Sequence, residues 1–128
     1  MDGKSGETMI TGVGVDLIEI DRVIKACAKD AFLTKNYTAE EIMLIGKDIR
    51  KAADNFAVKE AVTKMFGTGF HGISLLEIEV LRDSKGKPVV NLHGRAAEMA
   101  KAQGITAVHV SITNTKEYAN AFVVGESL

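Results

Sequence analysis

Apolar and polar positions change rhythm several times along the chain, and each change marks an expected element. Residues 9–15 alternate, with Val13 and Val15 on one face and Gly12, Gly14 and then Asp16 on the other, the period of a strand. Over 17–29 the period lengthens, and Ile20, Val23, Ile24 and Cys27 recur at helical spacing. Asp16 as N-cap and Glu19 three residues on make a capping-box pattern, so the strand is expected to pass straight into a helix at Asp16. Residues 32–37 have no period and read as irregular. Thr38-Ala39-Glu40-Glu41 is a second capping signal, for a short helix over 42–45 that ends near Gly46. The clearest helix covers 49–66, where Val58, Ala61, Val62 and Met65 form one stripe, and it stops at Gly67-Thr68-Gly69. A strand over 75–81, turn chemistry over 83–87 and a strand from Pro88 to Leu92 predict a hairpin. A helix over 94–103 closes at Gly104, and strands over 108–113 and 118–124 form a last hairpin across 114–117.

Strands and helices come in blocks rather than in strict alternation, which favours an α+β domain with a mainly antiparallel sheet over a doubly wound parallel one. At 128 residues the expectation is one domain over 9–128, preceded by a polar N-terminal leader over 1–8. The formal net charge of -1 supplies no global field toward nucleic acid or anionic lipid, so any anion site must be local. The first residues have neither a signal-peptide apolar region nor a membrane span, and a lone cysteine, Cys27, fits a reducing compartment. A cytoplasmic location without membrane or nucleic-acid partners is expected.

The stretch 56–64 carries the densest chemistry, because Glu60 and Lys64 stand four apart, opposite the apolar stripe. On spacing alone the favoured reading is a solvated i,i+4 salt bridge. Two further features can join it: the amide-rich turn at Gly67-Thr68-Gly69 and a second carboxylate at Asp16. Magnesium takes one or two protein carboxylates and completes its shell with water and phosphate oxygens, so Asp16 plus Glu60 would suit a diphosphate, with Lys64 adding positive charge. Spacing leaves open the plainer readings of Asp16 as a helix cap and Gly67 as a helix terminator. Gly12-Val13-Gly14-Val15-Asp16-Leu17 lacks the third glycine of a dinucleotide fingerprint. The histidines His71, His93 and His109 have no metal-ligand spacing.

Taken together, residues 12–22 (Gly12-Val13-Gly14-Val15-Asp16-Leu17-Ile18-Glu19-Ile20-Asp21-Arg22) and 56–69 (Phe56-Ala57-Val58-Lys59-Glu60-Ala61-Val62-Thr63-Lys64-Met65-Phe66-Gly67-Thr68-Gly69) resemble the bacterial holo-acyl-carrier-protein synthases in order and separation. The Gly86-Lys87-Pro88 turn and the strand ending Val110-Ser111-Ile112-Thr113 resemble the same family. The resemblance implies the 4′-phosphopantetheinyl transferase fold and transfer of the 4′-phosphopantetheine arm of coenzyme A to a serine of apo acyl carrier protein, in support of fatty acid biosynthesis. It also implies a homotrimer with interfacial active sites. By the same matching, Asp16 and Glu60 hold Mg2+, and Glu60, Lys64 and Asp16 carry catalysis. Lys64, Gly67, Thr68, Gly86, Lys87, Pro88, Ser111 and Asn114 contact coenzyme A. Arg22 matches an arginine on the family's docking helix. Lys25 and Lys29 fall at i+3 and i+7 from it and extend one basic stripe for an acidic carrier.

Two positions depart from the pattern. Asn114 stands where many relatives carry histidine, and an amide can hydrogen-bond but cannot take a proton or become cationic. Asn55 stands where some relatives place an arginine, which removes a charge able to meet a nucleotide phosphate. The competing expectation is a coenzyme A or carrier-binding module with weak or no transferase activity. A third is an unrelated small α+β interaction protein.

Overall fold

A computed structural model describes residues 8–67 and 72–128. Most of the leader expected over 1–8 therefore lies outside the described residues, as does Thr68. The chain runs β1 (Met9–Glu19), α1 (Ile20–Ala26), α2 (Asp30–Asn36), α3 (Ala39–Lys47), α4 (Arg50–Phe66), a 3-10 turn at Leu75–Glu77, β2 (Ile78–Arg82), β3 (Pro88–Leu92), α5 (Gly94–Ala102), β4 (Ala107–Asn114) and β5 (Tyr118–Ser127). The strands form an antiparallel three-stranded sheet ordered β1-β5-β4 and an antiparallel β2-β3 hairpin. This is the α+β class that the blocked order of elements predicts. Among the described residues no helix is long and apolar enough to cross a membrane.

The first strand overruns its expected end. Asp16, Leu17, Ile18 and Glu19 all pair with β5, opposite Ala121, Asn120, Ala119 and Tyr118. Ladder hydrogen bonds thus override the local capping signal. Asp16 is a strand residue and not an N-cap, and Glu19, which does precede α1, makes no capping bond with its side chain. Two further expectations change. Residues read as irregular form α2, because Phe32 stacks on Phe56 with centroids 5.9 Å apart and meets Tyr37 edge-on at 6.2 Å. The strand expected from 75 starts only at Ile78, since Ser74 and Glu77 close a capping box around a 3-10 turn. The capping box at Thr38 and Glu41 forms as expected and starts α3.

Helix α4 packs across the inner face of the three-stranded sheet and is buried on most sides, from Ala52 to Phe66. Its approach to β1 is set by two glycines. A β-carbon on Gly14 would run into the carbonyl oxygen of Ala61, and one on Gly12 into that of Met65. Backbone atoms of a packed helix cannot step aside, so Gly14→Ala is expected to destabilise the fold by about 1–3 kcal/mol. Because the same crossing carries Asp16 and Glu60, turnover is expected to fall more than stability explains. Chemical denaturation alongside kinetics on the folded fraction separates the two.

The free edge of β2 is closed by side chains instead of a strand. Glu41 accepts at Oε2 from the Val80 amide, Asn55 Nδ2 donates to the Val80 carbonyl, and Lys59 donates to the Ile78 carbonyl. Lys59 also reaches Glu41 Oε1 at 2.8 Å and the Leu75 carbonyl at 2.9 Å, so all three ammonium donors are used. Glu41, Asn55 and Lys59 are all fully buried. Buried backbone groups require partners, and this trio supplies them where the sheet ends. Among the side-chain nitrogen and oxygen atoms of the described residues, Asn55 Oδ1 alone is buried without a hydrogen-bond partner.

On the outer side of the same hairpin, Glu79 accepts from Thr38 Oγ1 at 2.6 Å, His93 Nε2 at 3.2 Å and Asn91 Nδ2 at 3.4 Å. Burial pushes the Glu79 carboxyl up, but these bonds and the charge of His93 outweigh it and hold the group below its ordinary 4.5. A depressed carboxylate stabilises the fold above its ordinary pKa, and that contribution is lost as pH falls through the lower native value. Glu79→Gln is therefore expected to flatten the acid limb of the stability profile below about pH 5. Urea midpoints measured between neutral pH and pH 3 read this directly.

Candidate active site

The long strand and the long helix bring three of the expected residues together. Asp16 lies on the inner face of β1, beside Gly14, and Glu60 and Lys64 lie one turn apart on α4. Lys64 Nζ meets Asp16 Oδ1 at 2.9 Å, so the lysine bridges to β1, a contact its spacing from Glu60 does not suggest. Burial pushes the Glu60 carboxyl above its ordinary range, the Asp16 carboxylate adds to that push, and Lys64 opposes it. Two carboxylates and one ammonium therefore share a half-buried corner where β1 and α4 cross. Asn120 of β5 donates to the Asp16 carbonyl at 3.2 Å and ties this part of β1 in place.

The donor set suits a hard divalent cation. Mutual repulsion of two half-buried carboxylates is what such an ion relieves, and Mg2+ asks for one or two carboxylates with water and phosphate oxygens for the rest. Among the described residues no group of three or more His, Cys, Asp or Glu side chains could hold a metal. Gly67 ends α4 in the left-handed conformation at φ 78°, which glycine adopts without strain.

Most of the other residues expected to contact coenzyme A gather elsewhere. Gly86, Lys87 and Pro88 from the β2–β3 turn face Ser111 and Asn114 of β4 across a cleft of about 420 Å³, which Lys51, Asp54 and Arg82 also line. Asp83 holds the turn in shape by accepting from the Lys85 and Lys87 amides, both at 2.9 Å. Asn114 Nδ2 donates to Asp54 Oδ1 at 2.8 Å. Asp54 sits near the start of α4, six residues before Glu60, which is about 9 Å along the axis. One helix thus borders both the carboxylate corner and the second cleft. Asn55 does not face the cleft at all, being spent on the edge of β2, so it is a core residue and not a gap in a phosphate site.

The expected basic stripe is shorter than its spacing promises. Arg22 and Lys25 share α1, but the helix ends at Ala26, and Lys29 is the extended residue before α2. Asp30 opens a new helix there, which takes Lys29 out of register with Arg22. Arg22 borders an apolar groove of about 490 Å³ lined by Leu17, Val23, Phe32, Phe56 and Tyr118.

Sequence reasoning passed over Asp54, Lys51 and Arg82 in the second cleft. No periodicity singles them out, since two are charged helix residues and one ends a strand. The buried Lys59 was also missed. Its signal is its place one turn from Asn55 on a helix with apolar residues on several faces.

Residues 12–123 match the model of the 4′-phosphopantetheinyl transferase superfamily. The chain is 62% identical over 118 residues to the holo-[acyl-carrier-protein] synthase of Lachnoclostridium phytofermentans, an alignment covering 92% of this chain and 97% of that protein. Its fold superposes on the acyl carrier protein synthase of Plasmodium yoelii with ADP bound, with a TM-score of 0.84 and 28% identity, covering 96% of this chain and 99% of that one. It is similar too to the holo-(acyl-carrier-protein) synthase of Bacillus anthracis in complex with coenzyme A (3′,5′-ADP), with a TM-score of 0.76 and 35% identity over 94% of this chain and 99% of that one. With its strand–helix crossing, its paired carboxylates and these relatives, the chain belongs to the holo-[acyl-carrier-protein] synthases, transferases of the 4′-phosphopantetheinyl transferase superfamily.

Proposed function

We propose that the chain transfers the 4′-phosphopantetheine arm of coenzyme A to a serine hydroxyl of apo acyl carrier protein, releasing adenosine 3′,5′-bisphosphate, in support of fatty acid biosynthesis in the cytoplasm. The observation that carries this reading is the corner of Asp16, Glu60 and Lys64, in which the ammonium binds one carboxylate and the other is pushed toward higher pKa. In this reading Asp16 and Glu60 hold Mg2+, which supplies positive charge against the diphosphate. Lys64 neutralises negative charge that spreads over nonbridging oxygens as the serine oxygen bonds to phosphorus and the bond to the bisphosphate breaks. Glu60, directly or through water, takes the serine proton. No covalent enzyme intermediate is needed.

The cleft of Gly86, Lys87, Pro88, Ser111 and Asn114 shares no lining residue with the carboxylate corner. On the outer face of the sheet, Val13, Val15, Leu17 and Phe122 are each 45–61% exposed. An apolar sheet face of this kind is a natural interface between copies. We take both as support for a homotrimer in which the corner of one subunit meets the second cleft of its neighbour. Arg22, which borders the apolar groove, and Lys25, three residues on along α1, are assigned to the acidic carrier.

Incubating the protein with apo acyl carrier protein, coenzyme A and Mg2+ and weighing the carrier by mass spectrometry tests the reading. A gain of one phosphopantetheine is expected, and no gain across several carriers would contradict it. Coenzyme A binding by calorimetry without turnover would instead favour a binding module. Asn114→His then tests whether the missing imidazole is the cause.

A further inference from the structure

The second cleft contains a contact that none of these roles uses. Asn114, at the end of β4, donates to an aspartate that is only 8% exposed and lies among Lys51, Arg82 and Lys87. An ionised carboxylate only accepts hydrogen bonds. Asp54 therefore admits one of the two orientations of the Asn114 amide, with Nδ2 toward itself and Oδ1 turned away. The opposite flip would set two oxygens against each other.

The geometry points to Asp54 as a positioning residue that fixes Asn114, so that the cleft presents an amide oxygen, an acceptor, to the nucleotide end of coenzyme A. This rests on the transferase reading above. The consequence is a division of labour within the cleft. The lysines and Arg82 are the groups suited to phosphate, whereas a carboxylate beside Asn114 repels one. The oxygen of Asn114 suits a donor, and the nucleotide offers two kinds: the exocyclic amine of adenine and the ribose 2′-hydroxyl. Where a histidine at this position could donate to or charge-pair with an anion, the asparagine and its aspartate read a neutral donor. Asp54 acts through Asn114, so its effect belongs in substrate affinity and not in the chemical step.

Steady-state kinetics in coenzyme A on the wild type, Asp54→Ala, Asp54→Asn, Asn114→Ala and the Asp54→Ala/Asn114→Ala double variant test the assignment. Asp54→Ala is expected to raise KM about fivefold, the scale of one hydrogen bond, with kcat within about twofold. Asp54→Asn, whose own amide oxygen can still accept from Asn114, is expected to stay within about twofold of the wild type. The double variant should be no worse than Asn114→Ala alone. Should Asp54→Ala not fold, Asp54→Ser replaces it with the same expectation, since its hydroxyl is too short to reach Asn114. Two coenzyme A analogues, one with hypoxanthine for adenine and one with 2′-deoxyribose, identify the donor. One of them should bind the wild type about fivefold more weakly, and that discrimination should vanish in Asp54→Ala. An unchanged or lowered KM in Asp54→Ala, an effect that adds in full to that of Asn114→Ala, or no discrimination by the wild type would each overturn the proposal. A wild type without transferase activity would fail the transferase reading instead, and calorimetric Kd values for the same variants and analogues would then decide the role of Asp54.

Discussion

Glu60→Gln is expected to lower turnover by about a hundredfold or more, because under the proposed function it removes both one carboxylate of a metal pair and the group that takes the serine proton. Asp16→Asn is expected to fall nearly as far. Their stabilities should barely move. Glu60 gains nothing from burial as a charge, since burial and the neighbouring carboxylate both push its pKa up, so the amide relieves repulsion. Asp16→Asn loses its contact with Lys64, which is 57% exposed on the lysine side and contributes about 0–1 kcal/mol. The pattern expected is a large loss in kcat with thermal midpoints within a few degrees of the wild type. Near-normal turnover in both variants would contradict the roles given to the corner.

The largest stability effect is expected from a residue with no chemical role. Lys59→Met should destabilise the fold by about 3–5 kcal/mol, as when one partner of a buried ion pair is removed. The loss leaves the Glu41 carboxylate without its cation, takes the lysine donor from the Ile78 carbonyl at the open edge of β2, and leaves the Leu75 carbonyl with the Ile78 amide as its remaining donor. Burial pushes the Lys59 ammonium toward neutrality, and the charge and hydrogen bond of Glu41 oppose that push. Urea unfolding reads the difference. A loss below about 1 kcal/mol would mean that water or backbone rearrangement supplies the missing donors.

Lys59 and Glu60 are neighbours in sequence and opposites in role, which explains what the sequence could and could not disclose. The periods of α5 and β5 survive folding because each buries one face, whereas α4 is buried on most sides and its apolar stripe marks only the part that meets the sheet. Asp16 was legible as a candidate site carboxylate but not as a strand residue: a capping signal is local, whereas the pairing of residues 16–19 with 118–121 joins the two ends of the chain. Helix α2 was hidden because its aromatic contact with Phe56 is likewise non-local. Lys29 kept its charge and lost its register when α1 stopped one turn early. Glu41 read as a capping residue and is one, yet its carboxylate also accepts from Lys59, Asn55 and Val80. Spacing shows the cap because cap and helix are adjacent. The other three partners come from β2 and α4. Asn114 stood out by its departure from the family pattern, whereas Asp54 became visible only through the bond between them.

The central claim is that Asp16 and Glu60 form one cation site serving coenzyme A. Calorimetric titration of coenzyme A with and without Mg2+, on the wild type, Asp16→Asn and Glu60→Gln, tests it most directly. Binding to the wild type is expected to tighten at least about tenfold with Mg2+, and that gain is expected to disappear in both variants. An equal Mg2+ dependence in all three proteins would contradict the claim.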